Sequence, residues 1–493
     1  MPSPLIKTTL RKALLKLVQR LDEGQVTAVT RGGGQDLLKK EIHLPGYIVA
    51  GAGILVFFVV LLFEIGFSWL KVLGLAMFLA MMFVFLIDYL RRFQADLVAD
   101  DEAIMLLGLI FVSAVLFMQL AKVYVSPLAT PLAAFAMLVG LLLSRNLAFI
   151  TAILLSLIIG VLNDFSLEYF FVSFAGSVAA VVGLDRIRNR SDITRLGLKI
   201  AAVNAVAVLI LHIFRLWPLS ALGMNLLWAA VSGVASALIV LGTLPFLESF
   251  FSKTTNIKLL ELADFNQVLL KRLMLESPGT YHHSLIMASL AEQAAEAIGA
   301  NSLLARVGAY YHDIGKLSNP EYFIENQQPG GNPHDPLTPA MSSLVVISHV
   351  KEGVAFARKH GIDKVIIDCI EQHHGTSLIH YFYHRALEQN KEITTENFRY
   401  PGPKPQSKET AILMLSDAVE AASRSVEDPT PGRLKDTVEK VLNNKFIDGQ
   451  FSECPITLHD LGRIAESMAA TLGGIYHARI EYQEPEGKKT EKS

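Results

Sequence analysis

The residues best suited to chemistry are histidines and aspartates in the second half of this 493-residue chain. His282-His283-Ser284 opens one helical pattern. His312-Asp313-Ile314-Gly315-Lys316 lies within or at the end of the next, His349 is on a third, and His373-His374-Gly375 ends a fourth. Asp417 falls in a further helix, after an apolar run that should be buried. Singly, each has an ordinary explanation, as a surface histidine or a chance His-Asp pair. The ordered set does not. Adjacent helical residues project roughly 100° apart, so His312 and Asp313 can both reach one cavity. Several helices that each point one or two N or O ligands inward make a cage in a bundle core. Five or six imidazoles and two carboxylates are too many for one ordinary metal and suit two that share a bridging carboxylate. Imidazole with carboxylate fits Fe, Mn, Zn or Ni. Two such ions about 3.5–4 Å apart can share a water and lower its pKa.

These ligands need helices to hold them. After Phe250 the apolar spacing is helical: 257–276 reads as one rod, followed by helices over 283–298, 302–315, 340–360, 363–374, 377–389, 408–425, 432–443 and 457–481. Strand patterns are absent. The segments 317–338 and 390–407 are long loops rich in Pro, Gly and Asn, a length often tied to function. Lys316 is placed to hold a phosphate oxygen, or is simply a surface lysine near a helix end. His334 in the first loop is read as hydrogen-bonded within it. The chain after Tyr482 is polar and reads as disordered.

The first half is of another kind. Hydrophobic residues make up 52% of the chain and charged residues 18%, against about a quarter charged in soluble proteins. The long apolar runs lie before residue 250: roughly 46–64, 69–90, 103–121, 127–143, 147–163, 168–184, 197–215 and 226–246. Each is long enough to cross ~30 Å of hydrocarbon as a helix. Arg91, Arg92, Arg145, Arg186, Arg188, Arg190 and Arg195 fall in alternate loops, which should therefore be cytoplasmic. Eight spans then put both termini in the cytoplasm, at a bacterial inner membrane. Two cysteines, Cys369 and Cys454, form no metal-type spacing and suit a reducing compartment. Residues 5–21 are basic and amphipathic, fit either for anionic lipid or for packing on the soluble half. No dense Lys/Arg patch with aromatics suggests a nucleic-acid polymer as partner. Few charges lie within spans, which opposes a transporter. The outer loops are too short for a sensing domain, so a signal would come through the bilayer, a small pocket between helices or a partner protein, and a homo-oligomer or a membrane partner is expected.

The segments HHSLIMASLAE, VGAYYHDIGK, ISHVKEG, EQHHGT and LSDAVEAASRS together resemble the HD phosphohydrolase superfamily and, more narrowly, the membrane 7TM-HD family of cyclic di-AMP phosphodiesterases. YFIENQ, NPHDPLTP, YPGPKPQSKETAI and DGQFSECPITL extend the likeness, over about 69–480. The resemblance implies an all-α fold, a multi-span bundle followed by an all-helical HD-type metallohydrolase domain. The parts are 1–45, a basic N-terminal segment; 46–64, an extra span; 69–249, a seven-span bundle; 250–276, a connector; 277–482, the hydrolase domain; and 483–493, a tail. It implies two divalent ions, Mn2+ or Fe2+ foremost. One is held by His283, His312 and Asp417, the other by His349, His373 and His374, with Asp313 bridging and Lys316 aiding catalysis. His282 has no counterpart. The implied reaction opens cyclic di-AMP to pApA. A cyclic di-GMP enzyme would carry Gly-Tyr-Pro after the double histidine, where Gly375-Thr376-Ser377 stands. A receptor that only binds nucleotide would have lost a ligand, and none is lost. The family usually sets a large external domain between its first span and the bundle, and here 46–64 runs almost directly into 69.

Overall fold

The computed structural model describes residues 69–327, 331–389 and 392–477. The amphipathic 5–21 segment, the 46–64 span and the tail expected after Tyr482 lie outside them. The chain is all-helical in two successive parts, and its described residues hold only one isolated bridge, Leu378 with Arg399.

The first part is a membrane bundle: α1 (Trp69–Phe93), the short α2 (Ala95–Val98), α3 (Asp101–Tyr124), α4 (Leu132–Leu142), α5 (Arg145–Leu162), α6 (Leu167–Gly183), α7 (Arg190–Ile213) and α8 (Leu222–Phe250). Polar side chains start the helices at the surface: Asp100, Ser144 and Ser166 each accept from a first-turn backbone N–H, and Asn189 with Asp192 forms a capping box. Among the described residues, six helices are long and apolar enough to span a bilayer, and two shorter ones, Pro127–Leu142 and Leu167–Gly183, are apolar. One of the six, Pro339–Lys359, belongs to the second part and carries buried His349, so the seven others form the bundle of a multi-pass membrane protein. The expected 127–143 span is broken. Pro127 and Pro131 lack N–H groups, a 3-10 turn covers Pro127–Ala129, and α4 itself has 11 residues. Interrupted backbone is tolerated at membrane depth when protein covers it, and Leu132 to Val139 are all buried. Small residues let α7 and α8 touch: a Cβ on Gly233 would lie 2.4 Å from the Ala201 nitrogen, and one on Gly197 2.5 Å from Ala237 Cβ. Ser232 also donates to the Thr130 carbonyl, 2.8 Å away. His212 meets Asn225 at 3.3 Å.

The second part comprises α9 (Asn256–Leu262), α10 (Val268–Glu276), α11 (Pro278–Ala297), α12 (Ser302–Tyr311), α13 (Pro339–Lys359), α14 (Lys364–Gln372), α15 (His380–Gln389), α16 (Lys408–Arg424), α17 (Pro431–Ile447) and α18 (Leu458–His477). The rod expected over 257–276 is two helices. Asp264 accepts from the Asn266 backbone and its own carbonyl accepts from Gln267 N, a local turn that competes with the helix. Two cores meet at α12. One holds Met287, Leu413, Leu434 and Met468; the other holds Leu269, Tyr311, Ile314 and Ile370. The parts are tied by an ion pair of Lys253 with Asp100, by Arg190 Nη2 at 2.8 Å from Glu261, and by Thr254 donating to Asp363 at 3.0 Å.

Gly315 is where the site helices touch. A Cβ there would lie 1.8 Å from the His349 carbonyl oxygen and 2.5 Å from Gly353 N, both backbone atoms that cannot swing away. Gly315→Ala should therefore destabilise the protein by about 3 kcal/mol, the upper range for overpacking. Gly432, at the start of α17, faces open space, and Gly432→Ala should leave the unfolding midpoint within about 1 kcal/mol of the parent. Denaturant unfolding of both variants in detergent checks the contrast.

Candidate metal centre

Five helices deliver the ligating side chains. α11 brings His283; α12 ends at His312, and the chain turns into a 3-10 segment (Ile314–Ser318) through Asp313; α13 brings His349; α14 ends at His373-His374; and α16 brings Asp417. All seven expected ligands converge. His283, His312, Asp313, His349 and His373 are buried, while His374 and Asp417 are partly exposed. His282, beside them in sequence, faces solvent.

Asp313 stands at the centre with its oxygens turned apart. Oδ1 lies 3.2 Å from His349 Nε2 and 3.7 Å from His373 Nε2. Oδ2 lies 3.1 Å from His312 Nε2, 3.8 Å from His283 Nε2 and 2.7 Å from Lys316 Nζ. Asp417 also reaches both sides, with Oδ1 3.3 Å from His283 Nε2 and Oδ2 3.4 Å from His374 Nδ1. Two triads could each hold an ion, His349 with His373 and His374, and His283 with His312 and Asp313; within each triad the donor atoms lie within 4.8 Å of one another.

The hydrogen bonds fix which nitrogens are free. Nδ1 of His312, His349 and His373 sits 2.8, 2.6 and 2.7 Å from the carbonyls of Ala309, Val346 and Ile370. A carbonyl only accepts, so each Nδ1 carries the proton and, in the neutral ring, each Nε2 presents a lone pair. Those lone pairs point at one another and at Asp313. Nε2 of His349 and His373 are 3.3 Å apart, and buried His312 Nε2 and Asp313 Oδ1 make no hydrogen bond. Such a set repels itself unless a cation sits among it, so the residues fit a metal. Burial, then neighbouring His312, pushes the His373 pKa down to about 3, which keeps it neutral. Burial would raise the Asp313 carboxyl, but His312 and Lys316 outweigh it and hold the group well below the ordinary value. Neither cysteine joins the centre: Cys369 is buried beside Gly308, and Cys454 lies after α17. The donors are nitrogen and oxygen only.

His283 is held differently. Its Nδ1 lies 2.7 Å from Glu420 Oε2, and the same buried carboxylate pairs with Arg424 at 2.6 Å. Burial would lower the His283 pKa, but Asp417 and Glu420 raise it to about 9; the carboxylates that retain that proton would equally attract a cation. Glu420 went unseen in the sequence. The available signal was Asp417-Ala-Val-Glu420 with Arg424 one turn on, which places both acids on one helical face. Lys316 is in an ion pair with Asp313 and Glu325, 2.7 Å from each, and lies over the Phe323 ring. The loop bearing Glu325 straps the start of α11, where Asn326 accepts from the Gly279 and Thr280 backbones. Tyr400 stacks on His374 with centroids 4.1 Å apart. His334 is held inside its loop by the Tyr322 carbonyl at 2.9 Å.

Fold and ligand set together define an HD-type hydrolase domain joined to a membrane bundle. A family model described as "7TM receptor with intracellular HD hydrolase" matches residues 69–255, and the HD domain model matches 280–422. The chain belongs to that family. It is 40% identical over 428 residues to the cyclic-di-AMP phosphodiesterase PgpH of Bacillus subtilis (strain 168), covering 83% of this chain and 60% of that protein. It is 38% identical over 398 residues to PgpH of Listeria monocytogenes serotype 1/2a (strain 10403S), covering 80% and 55%. The chain thus spans a little over half the length of these relatives. The crystal structure of the L. monocytogenes PgpH HD domain in complex with cyclic-di-AMP is 49% identical, with 43% of this chain and 99% of that one covered and a TM-score of 0.42.

Partners that fix a ligating histidine typically change metal affinity by about 10–100-fold when removed. Glu420→Gln keeps the shape but removes the charge behind His283. Titration of the metal-free full chain with Mn2+ should show one of two ions bound more weakly by that factor, with helicity unchanged.

Proposed function

We propose that this chain is a membrane-anchored, metal-dependent phosphodiesterase that opens cyclic di-AMP to pApA. The observation that carries the reading is the arrangement around Asp313, one buried carboxylate with an oxygen turned to each of two histidine groups. His283, His312 and Asp417 would hold one divalent ion, His349, His373 and His374 the other, with Asp313 between them. The N/O donor set suits Mn2+ or Fe2+. Bound there, the ions supply Lewis acidity toward a phosphoryl oxygen and lower the pKa of a water. The chain's own groups do the rest. The i−3 carbonyls hold three imidazoles in the ligating tautomer, Glu420 does so for His283, and Lys316 keeps a positive charge beside Asp313 Oδ2. Tyr400 limits the motion of His374. The likeness to two cyclic-di-AMP phosphodiesterases supports the choice of substrate.

The cytoplasmic placement of the hydrolase domain is supported by charge. The ends of α1, α5 and α7 that carry Arg91, Arg92, Arg145, Arg190 and Arg195 are on the domain's side of the bundle, where Arg190 pairs with Glu261.

The test is cyclic di-AMP hydrolysis by the purified full chain with Mn2+ or Fe2+, beside Asp313→Asn. The substitution preserves volume and removes the charge that offsets two dications. Turnover should fall by at least about a thousandfold, the scale of an essential electrostatic group, with the circular dichroism spectrum intact. Near-normal turnover by folded Asp313→Asn would sink the bridging role.

A further inference from the structure

Beside the metal centre is a second built feature, a cavity of about 560 Å3, within the range of small-molecule sites. One wall carries Ala418, the residue after Asp417; another carries Ser377, whose backbone N–H donates to the His374 carbonyl at 3.1 Å. The far wall is the end of α17, with Asn444, Lys445 and Asp448. The loop after the double histidine is pinned to that wall. Gln450 accepts from Thr376 N at 3.0 Å, Arg399 donates to the Thr376 carbonyl at 2.8 Å, and Lys445 donates to Ser377 Oγ at 2.6 Å.

The cations around the centre differ in how they are used. Lys316 is shared by Asp313 and Glu325, Arg424 pairs with Glu420, and Arg399 pairs with Asp448 at 3.0 Å. Lys445 is the exception among them. Its hydrogen bond goes to a neutral hydroxyl, and no carboxylate among the described residues is within ion-pair distance. Its ammonium is largely withdrawn from water, which lowers its pKa, while Asp417 and Asp448 act in the opposite direction. A cation so placed is strongly drawn to an anion that enters the cavity.

We propose that this cavity receives the half of a cyclic dinucleotide that is not being cut, and that Lys445 binds its second phosphate. The inference rests on the functional reading above, because it needs a substrate with two phosphates. While one phosphate lies at the metal centre, the other, joined to it through the ring, must lie near it and brings a negative charge of its own. Lys445 supplies the compensating charge on the Ala418 side, and Ser377 and Asn444 supply hydrogen-bonding groups beside it. Lys445 would then be a specificity-determining residue, one that separates a dinucleotide from a simple phosphodiester.

The experiment measures kcat and KM of the full chain in detergent with Mn2+ on two substrates, cyclic di-AMP and bis(4-nitrophenyl) phosphate, which has one phosphate. For Lys445→Met, kcat/KM on cyclic di-AMP should fall roughly ten- to a hundredfold relative to the single-phosphate ester, the scale of a hydrogen bond to a charged group. The loss should lie mainly in KM, and Lys445→Arg should recover most of it. Lys445→Gln serves if Lys445→Met does not fold. Parallel loss on both substrates, or no change in their ratio, overturns the inference alone. Cleavage of the ester but not of cyclic di-AMP by the unmutated chain overturns the functional reading and this inference with it.

Discussion

Asp313 is an ionised carboxylate almost without solvent, and burying such a charge costs several kcal/mol unless it is matched. Lys316, 2.7 Å from Oδ2, matches it on one side, and four imidazoles from separate helices surround the carboxylate with Nε2 atoms that fit cations between them. That single requirement explains much of the hydrolase half. α12 must stop at His312 so that the chain can turn Asp313 inward. Gly315 must be glycine so that the following turn can lie against the His349 carbonyl. The Nδ1 atoms must be tied to backbone so that the Nε2 lone pairs converge. Each device is costly alone and sensible only around cations.

The bundle and the hydrolase domain are joined by polar contacts and by Phe251 and Ile257, which are buried in the bundle's apolar core. Lys253 with Asp100, Arg190 with Glu261 and Thr254 with Asp363 cross the joint. Asp100 also caps α3, and Arg190 opens α7, so both contacts attach directly to ends of membrane helices. Exposed ion pairs of this kind contribute little stability singly.

The candidate ligand set, whose seven side chains the fold brings together, was legible because histidine and aspartate at helix-compatible intervals are rare, and Asp313 and Asp417 sit among residues that otherwise read as core. Of the eight expected spans, five were legible from apolar length as helices long enough to cross a membrane, two are shorter apolar helices, and 46–64 lies outside the described residues. What escaped has a common cause: its meaning arises only when distant segments meet. Glu420 reads as one more acid on an amphipathic helix until α11 brings His283 to it. Lys445 reads as a basic residue suited to the last turn of α17 until the 375–378 loop packs against it. The break at Asp264 and the shortening of α4 by Pro127 and Pro131 were visible residue by residue, but apolar periodicity overrode them. The resemblance to a known family supplied the pairing of ligands, which the spacing alone left open.

Asp313 is proposed to hold two ions at a working separation. The direct measurement is metal content together with X-ray absorption on the anaerobically purified full chain. About two transition-metal ions per chain are expected, at about 3.5–4 Å from each other, with nearest-neighbour scattering from nitrogen and oxygen and none from sulfur. A single ion per chain, or two ions without a metal–metal distance in that range, would contradict it.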